Sequence, residues 1–346
     1  MIYNSSWRAP SNIALIKYWG KYGQQLPRNP SLSFTLSACH TDLRMEVTID
    51  APSPGLNVLY DGQPKPSFEP KINSFFRRLD TVLPWLSSSS VFIDSVNTFP
   101  HAAGIASSAS AMSAIALCLA DIDDMIHTRD LESESDWLRK VSSMARLGSG
   151  SASRSVYPGV AIWGVTPGIA DTNNDYAIPW RYSVASVFHD YKDTILIVSG
   201  SEKSVSSTAG HQLMEDLIYA SARYQQAEKN LISLLDIMQH GDDLASFMSI
   251  CESEALQLHA LMMSGSQPFL LIEPNTISII QKVWAFRRDT NIPVCFTLDA
   301  GPNVHLLYPA SHAATVLDWI RTDLVSLCAN GAFITDQVGE GPVRIK

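Results

Sequence analysis

The order of residues between Val91 and Ala120 constrains this chain more than any other feature. The apolar Val91-Phe92-Ile93 is followed by Pro100-His101-Ala102-Ala103-Gly104, then by a long run of small and apolar residues from Ser107 to Ala120. That is the order strand, loop, helix. Gly and Ala let a ligand come close to the backbone, Ser107 and Ser108 offer hydroxyls, and the helix start behind them supplies unpaired N–H groups for a phosphate. The stretch is not the GxxxxGK[ST] loop, and an Ala/Ser-rich helix start also serves tight packing, so a phosphate cradle and a packing device both remain open.

A chain of 346 residues can bury a large core, and its length suits two domains or one large one. With 46% hydrophobic and 17% charged residues it has the balance of a globular protein. A net charge of −9 argues against general nucleic-acid binding, so an anionic ligand has to be met locally. The five cysteines, Cys39, Cys118, Cys251, Cys295 and Cys328, form no CxxC pair and suggest neither a disulfide framework nor a zinc site. A cytoplasmic location is expected. MIYNSSWRAPSN lacks a charged segment leading into an apolar one, and no apolar run is long enough to span a bilayer, so the protein is expected to be soluble, with no membrane partner.

Period-two alternation predicts a strand over 43–50, and Val58-Leu59-Tyr60-Asp61-Gly62 a strand entering a tight turn. Helices are expected over 107–120, 135–147, 211–238, 244–263 and 276–287, with strands at 194–198 and 294–298. The polar 168–176 and 180–191 segments are the candidate boundary between an N-terminal domain, 1–188, and a C-terminal one, 189–346. No internal repeat or low-complexity tract is visible.

Two further segments invite chemistry. Lys17 and Lys21 flank Tyr18 and Trp19 in an acidic protein, which suits an anionic substrate or, equally, a solvated surface turn. Arg146-Leu-Gly-Ser-Gly-Ser-Ala-Ser-Arg154 has hydroxyls between guanidiniums that suit a carboxylate or phosphate, although such a composition also makes a flexible loop. Asp299, after Phe296-Thr297-Leu298 and before Ala-Gly-Pro, sits where a turn presents a carboxylate to a cleft or simply caps itself. His305 reads as structural.

Together these segments resemble the diphosphomevalonate decarboxylases, within the superfamily of galactokinase, homoserine kinase, mevalonate kinase and phosphomevalonate kinase. The resemblance is carried by Asn12-Ile-Ala-Leu-Ile-Lys-Tyr-Trp-Gly-Lys21, Asn29-Pro-Ser-Leu-Ser-Phe-Thr-Leu36, Asn97 to Ser108, Arg146 to Ser155, Lys203 to Gly210 and Thr297-Leu-Asp-Ala-Gly-Pro-Asn303. It implies an α+β fold with an N-terminal domain like ribosomal protein S5 domain 2 and a ferredoxin-like C-terminal domain, in a homodimeric cytoplasmic carboxy-lyase that uses ATP and Mg2+. By the same resemblance Asp299 deprotonates the substrate's 3-hydroxyl, Lys17 holds Asp299 ionised and Arg154 pins the departing carboxylate. Tyr18, Trp19, Gly20, Lys21, Lys71, Ser149, Gly150, Ser151, Ala152, Ser153, Arg154 and Thr208 fall at substrate positions. Ala103, Gly104, Ala106, Ser107 and Ser108 fall at ATP positions, Ser108 also toward the metal. Departures include Pro30, Ser153, Tyr22-Gly23 and Pro158. Lys71 stands where many members place an arginine, with Arg77 as the alternative, so phosphomevalonate decarboxylase and mevalonate 3-kinase remain rival activities, and a non-catalytic ligand sensor a third.

Overall fold

The computed structural model describes residues 1–100, 105–127, 133–180, 183–201 and 207–345, the side chains of 207–209 excepted. Strand β1 (Ile2–Ile16) was not anticipated, because Asn4, Ser5, Ser6, Pro10, Ser11 and Asn12 blur its alternation. After the short hairpin of β2 (Lys21–Tyr22) and β3 (Leu26–Pro27), β4 (Ser31–Thr48) pairs antiparallel along β1, with register slips between Pro10 and Asn12 and between Ala14 and Ile16. The predicted 43–50 strand is thus the far end of a longer one. Strands β5 (Gly55–Tyr60) and β6 (Gln63–Pro64) reverse at Asp61-Gly62, where both residues have positive φ, 53° and 69°, as an Asp-Gly turn requires. Strand β7 (Ser90–Asn97) lies antiparallel to β4 and parallel to β5, while β8 (Val160–Trp163) and β9 (Ala177–Pro179) extend the other end of β4.

Helices α1 (Glu69–Leu79), α2 (Ser107–His127) and α3 (Glu134–Gly148) share one core with this sheet. Ala109, Ala114, Ala116 and Ala120 of α2 are fully buried, and their small side chains let the helix lie close against β1 and β4. The Ser133 hydroxyl caps α3 by accepting from the Asp136 N–H.

The second sheet is antiparallel, in the order β11 (Cys295–Leu298), β12 (Val304–Tyr308), β10 (Lys192–Leu196), β13 (Phe333–Gln337). Helices α4 (Ser207–Leu213), α5 (Ala220–His240), α6 (Leu244–Ser264) and α7 (Pro274–Thr290) separate β10 from β11, and α8 (Ala313–Trp319) separates β12 from β13. This is the β-α-β-β-α-β order of a ferredoxin-like unit. The helix expected over 211–238 is two helices, because the turns between α4 and α5 bury Met214 and Leu217 around Trp19, and apolar spacing alone does not reveal such a break. The final β14 (Val343–Arg344) returns to pair with Trp7 and Arg8 of β1.

The sheets are joined by a shared apolar layer. Leu32, Phe34 and Leu36 of β4 pack with Tyr191, Ile195, Cys295, Leu307 and, from α6, Phe247. Beside it Asp336 of β13 accepts from the backbone N–H groups of Ser37, Ala38 and Cys39 at 2.7–2.8 Å, clasping the middle of β4. All five cysteines are free and buried. Among the described residues no helix is long and apolar enough to cross a membrane.

Candidate active site

Lys17 is the first residue beyond β1, where the strand leaves its ladder, and its side chain is 1% exposed. Its Nζ donates to the Ala14 carbonyl at 2.5 Å. Arg154 arrives from another direction. After α3 a single 3-10 turn, Gly150–Ser153, brings the chain back under β4, and the guanidinium, also 1% exposed, enters a polar socket. Nε donates to Ser33 Oγ at 3.0 Å, Nη1 to Ser31 Oγ at 2.5 Å and Nη2 to Asn12 Oδ1 at 3.2 Å. Asp299 follows β11 in a turn closed by the Gly301 N–H on the Asp299 carbonyl at 2.7 Å, and Nε2 of His259 donates to the same carbonyl at 3.1 Å. Unlike the two cations, Asp299 is partly exposed.

The three groups feel one another. Burial pushes the Lys17 ammonium below the usual lysine range, and the negative charges of Asp299 and Glu254 pull it back up against the opposing Arg154. Burial lowers Arg154 to about 10, with Asp299 the leading opposing influence and Tyr18 next. The arrangement is therefore one carboxylate within the fields of two desolvated cations.

Aromatic rings wall this centre. Tyr18 packs on Trp163 at 4.7 Å and on His211 at 4.3 Å between ring centroids, and Trp19 lies 4.7 Å from His211. The Tyr18 hydroxyl and Trp19 indole N–H are buried without partners among the described residues, so both remain available to a ligand. Burial raises the Tyr18 phenol, with Arg154 and Arg146 pulling against it. His211 accepts from the Gly20 N–H at 3.0 Å, and burial followed by Lys21 drives it down to about 3, so it is neutral. A Cβ on Gly150 would stand 2.8 Å from both the Trp163 and Tyr18 rings, so glycine there is a packing requirement.

The adjoining wall is basic. Lys21, Lys71 and Arg78 lie within each other's fields: burial and then Arg78 lower Lys21, while burial and then Lys21 lower Lys71. Lys71 is solvent-exposed on α1. Arg77, the alternative to Lys71 named from sequence, is exposed, whereas Arg78, whose charge adds to burial in lowering Lys21, donates to the Leu147 carbonyl at 2.7 Å. Arg146 is anchored by Asp175 and the Gln24 carbonyl.

Ser107 and Ser108 open α2, and Ser108 Oγ lies 3.0 Å from Ser149 Oγ, itself 3.4 Å from Ser151 Oγ, making a hydroxyl-lined rim. Ala106 holds a positive φ of 45° directly before this helix, and Ser11 secures the turn through the Ile105 carbonyl at 2.7 Å. Of the expected substrate residues, Ala152 is fully buried in the core of the first sheet, and Ser153, also fully buried, donates its hydroxyl to the Gly150 carbonyl at 2.8 Å. Ala103 and Gly104 lie outside the described residues, as does the side chain of Thr208. Among the described residues no three His, Cys, Asp or Glu side chains gather as a metal cluster.

Sequence reasoning missed several neighbours. The Ser31 and Ser33 socket was seen only as a strand. Glu254, fully buried, accepts from Arg223 Nη1 at 2.9 Å and Nη2 at 2.5 Å, from Asn230 Nδ2 at 2.7 Å and from the Lys17 N–H at 2.9 Å. His305, read as structural, pairs with the buried Asp193 at 2.7 Å on the sheet face that also carries Thr297. A carboxylate or arginine inside a helix's apolar stripe was the available signal for Glu254 and Arg223.

Residues 9–175 match the family model described as the diphosphomevalonate decarboxylase-like N-terminal domain, and residues 194–341 match the mevalonate 5-diphosphate decarboxylase C-terminal domain. The diphosphomevalonate decarboxylase of Gibberella zeae is 30% identical over 338 residues, spanning 91% of this chain and 84% of that protein. Among solved structures, mevalonate diphosphate decarboxylase from Staphylococcus aureus superposes with a TM-score of 0.85 at 27% identity, covering 100% of this chain and 99% of the other. The protein called MDDEF, solved in complex with MVAPP, AMPPCP and magnesium, gives 0.85 at 25% identity with full coverage of both chains.

Proposed function

This chain belongs to the diphosphomevalonate decarboxylase family, and from that premise we propose that it converts (R)-5-diphosphomevalonate and ATP to isopentenyl diphosphate, ADP, phosphate and carbon dioxide. The observation that carries this reading is that Asp299, Lys17 and Arg154, from three distant parts of the chain, lie within one another's electrostatic reach.

Asp299 takes the proton of the tertiary 3-hydroxyl as that oxygen bonds to the terminal phosphorus of ATP, and ADP leaves. Lys17, buried and within the field of Asp299, keeps the carboxylate ionised and its proton-accepting oxygen in place. Arg154, its three contacts fixed by Ser31, Ser33 and Asn12, holds the substrate carboxylate. The carbon–carboxylate bond then breaks, its electron pair forms the new double bond, and phosphate departs from the adjacent carbon. The α2 N-terminus with Ser107, Ser108, Ser149 and Ser151 suits the nucleotide's phosphates. Magnesium, when bound with the nucleotide, neutralises phosphate charge.

The wall of Lys21, Lys71 and Arg78 favours the diphosphate over mevalonate itself, since beyond burial Arg78 disfavours the charge on Lys21 and Lys21 that on Lys71, a repulsion that a multiply charged anion relieves. The homodimer and the cytoplasmic location expected from the family complete the proposal. The test is a panel of mevalonate, its 5-phosphate and its 5-diphosphate, each with ATP and magnesium, scored for carbon dioxide and for stable 3-phosphate. Release of carbon dioxide from the diphosphate, lost in Asp299→Ala with substrate binding retained, is the expected result. Turnover that survives Asp299→Ala overturns the mechanism, and a preference for the 5-phosphate, or a stable 3-phosphate product, gives the assignment to the rival activities.

A further inference from the structure

We propose that the buried Arg223–Glu254 ion pair, on two helices behind the groove, is a positioning device that holds the backbone of Lys17 and thereby sets where its ammonium stands against Asp299. The proposal rests on the catalytic reading above, in which Lys17 serves Asp299.

Lys17 lies where the β1–β4 ladder has ended, so its peptide groups need other partners. Side chains supply them. Glu254 of α6 accepts the Lys17 N–H at 2.9 Å, while Arg223 Nη2 of α5 at 3.3 Å and Asn29 Nδ2 at 3.0 Å both donate to the Lys17 carbonyl. The carboxylate is fully buried and its guanidinium partner is 4% exposed. The link is long-range, 237 residues for Glu254 and 206 for Arg223, and it ties the end of the first sheet's leading strand to the helices of the second unit.

A buried ion pair is weak evidence of stabilisation, since desolvation offsets much of the attraction and apolar replacements are often neutral or better. What this pair provides that an apolar pair would not is a donor and an acceptor aimed at both peptide groups of one residue. Asn230, donating to Glu254 Oε1 at 2.7 Å, holds the carboxylate plane in turn. With its backbone fixed on both sides and its Nζ on the Ala14 carbonyl, Lys17 has little freedom to turn from Asp299.

The same geometry separates positioning from mere structural support. The charged or titratable groups around Lys17 are Asp299 beyond β11, Cys251 and Glu254 on α6, Arg154 after α3, Arg223 on α5 and Asp193 on β10. Glu254 favours the charged ammonium. Glu254→Gln keeps the shape and removes that negative charge, so Lys17 loses its proton at lower pH and the alkaline limb of the turnover profile moves toward neutrality. Arg223→Gln removes a positive charge, so the limb moves the other way or stays, although the backbone grip is weakened in both.

The experiment measures kcat, KM and the pH profile of carbon dioxide release by the full chain, for wild type and the two variants, with melting temperatures alongside. Expected is a kcat lowered by about tenfold or more in both, KM for ATP and for the phosphorylated substrate within about twofold, and the limb shifted to lower pH in Glu254→Gln alone. Parallel losses of kcat and melting temperature with unmoved limbs, or a wild-type kcat in a folded Glu254→Gln, overturn the proposal. If Glu254→Gln does not fold, Asn230→Ala keeps both charges and removes one hydrogen bond; a fall of about threefold in kcat with unchanged KM supports the device, and an unchanged kcat overturns it. Wild-type protein that decarboxylates none of the three mevalonates would sink the functional reading itself, an outcome distinct from any difference between variants.

Discussion

Replacing Ser31 with alanine tests how the guanidinium of Arg154 is held. The Ser31 hydroxyl and Arg154 are 0% and 1% exposed, and their 2.5 Å contact has no solvent to replace it. A hydrogen bond to a charged group contributes about 1.5–3 kcal/mol, and its loss leaves a buried N–H without an acceptor. Taking about 2 kcal/mol, and an unfolding entropy near 2 cal/mol/K per residue over a chain of this length, the melting temperature falls by about 3 °C. If that energy holds the guanidinium in its reactive pose, the same amount lost from the transition state slows turnover roughly thirtyfold. The KM values should move little, because Ser33 and Asn12 still hold the other two contacts. Scanning calorimetry and steady-state carbon dioxide release measure the two effects separately. A Ser31→Ala enzyme that melts earlier yet turns over like wild type would refute the reasoning, for the serine would then stabilise the fold without orienting Arg154.

Three other outcomes follow from the site. Lys17→Met should abolish turnover while raising the melting temperature at neutral pH; since burial lowers the folded-state value of Lys17 below that of the unfolded chain, its penalty is greatest below the folded value and fades as pH rises to the ordinary lysine range, so the gain should shrink on the same course in a calorimetric pH series. Lys71→Ala should raise KM for the diphosphate about tenfold and leave kcat within about threefold, with the rise diminished at high salt; a wild-type KM would remove Lys71 from the anion wall. Gly150→Ala should cost about 1–3 kcal/mol by overpacking against Tyr18 and Trp163, and impair substrate binding as Tyr18 shifts; unchanged calorimetry and KM would count against the tight fit.

Much of this centre was legible because its signals are local. Lys17, Tyr18, Trp19 and Lys21 fall in one short segment, the serines open a visible helix, and Asp299 ends an apolar strand. The unseen parts are those whose meaning depends on a distant partner. Ser31 and Ser33 look like ordinary strand positions until Arg154 enters between them from more than a hundred residues away. Arg223 shares the inward face of α5 with Ala227, Asn230 and Leu234, and Glu254 that of α6 with Cys251, Leu258 and Met262, so the anomaly of a charge in a buried stripe was visible although its purpose was not. Asn12 was noticed only as part of a motif, and Arg78 was not singled out at all. The break between α4 and α5 escaped because Met214 and Leu217 keep the apolar rhythm through the turn.

The layer in which Phe34 meets Tyr191 and Phe247, with Asp336 fastened to β4 beside it, has a bearing on how the molecule comes apart. Each half has a core of its own, yet severed between the sheets each would also expose a greasy flank that it normally hides in the other. Heat should accordingly dismantle the two together in a single cooperative melt, with calorimetric and van't Hoff enthalpies in agreement.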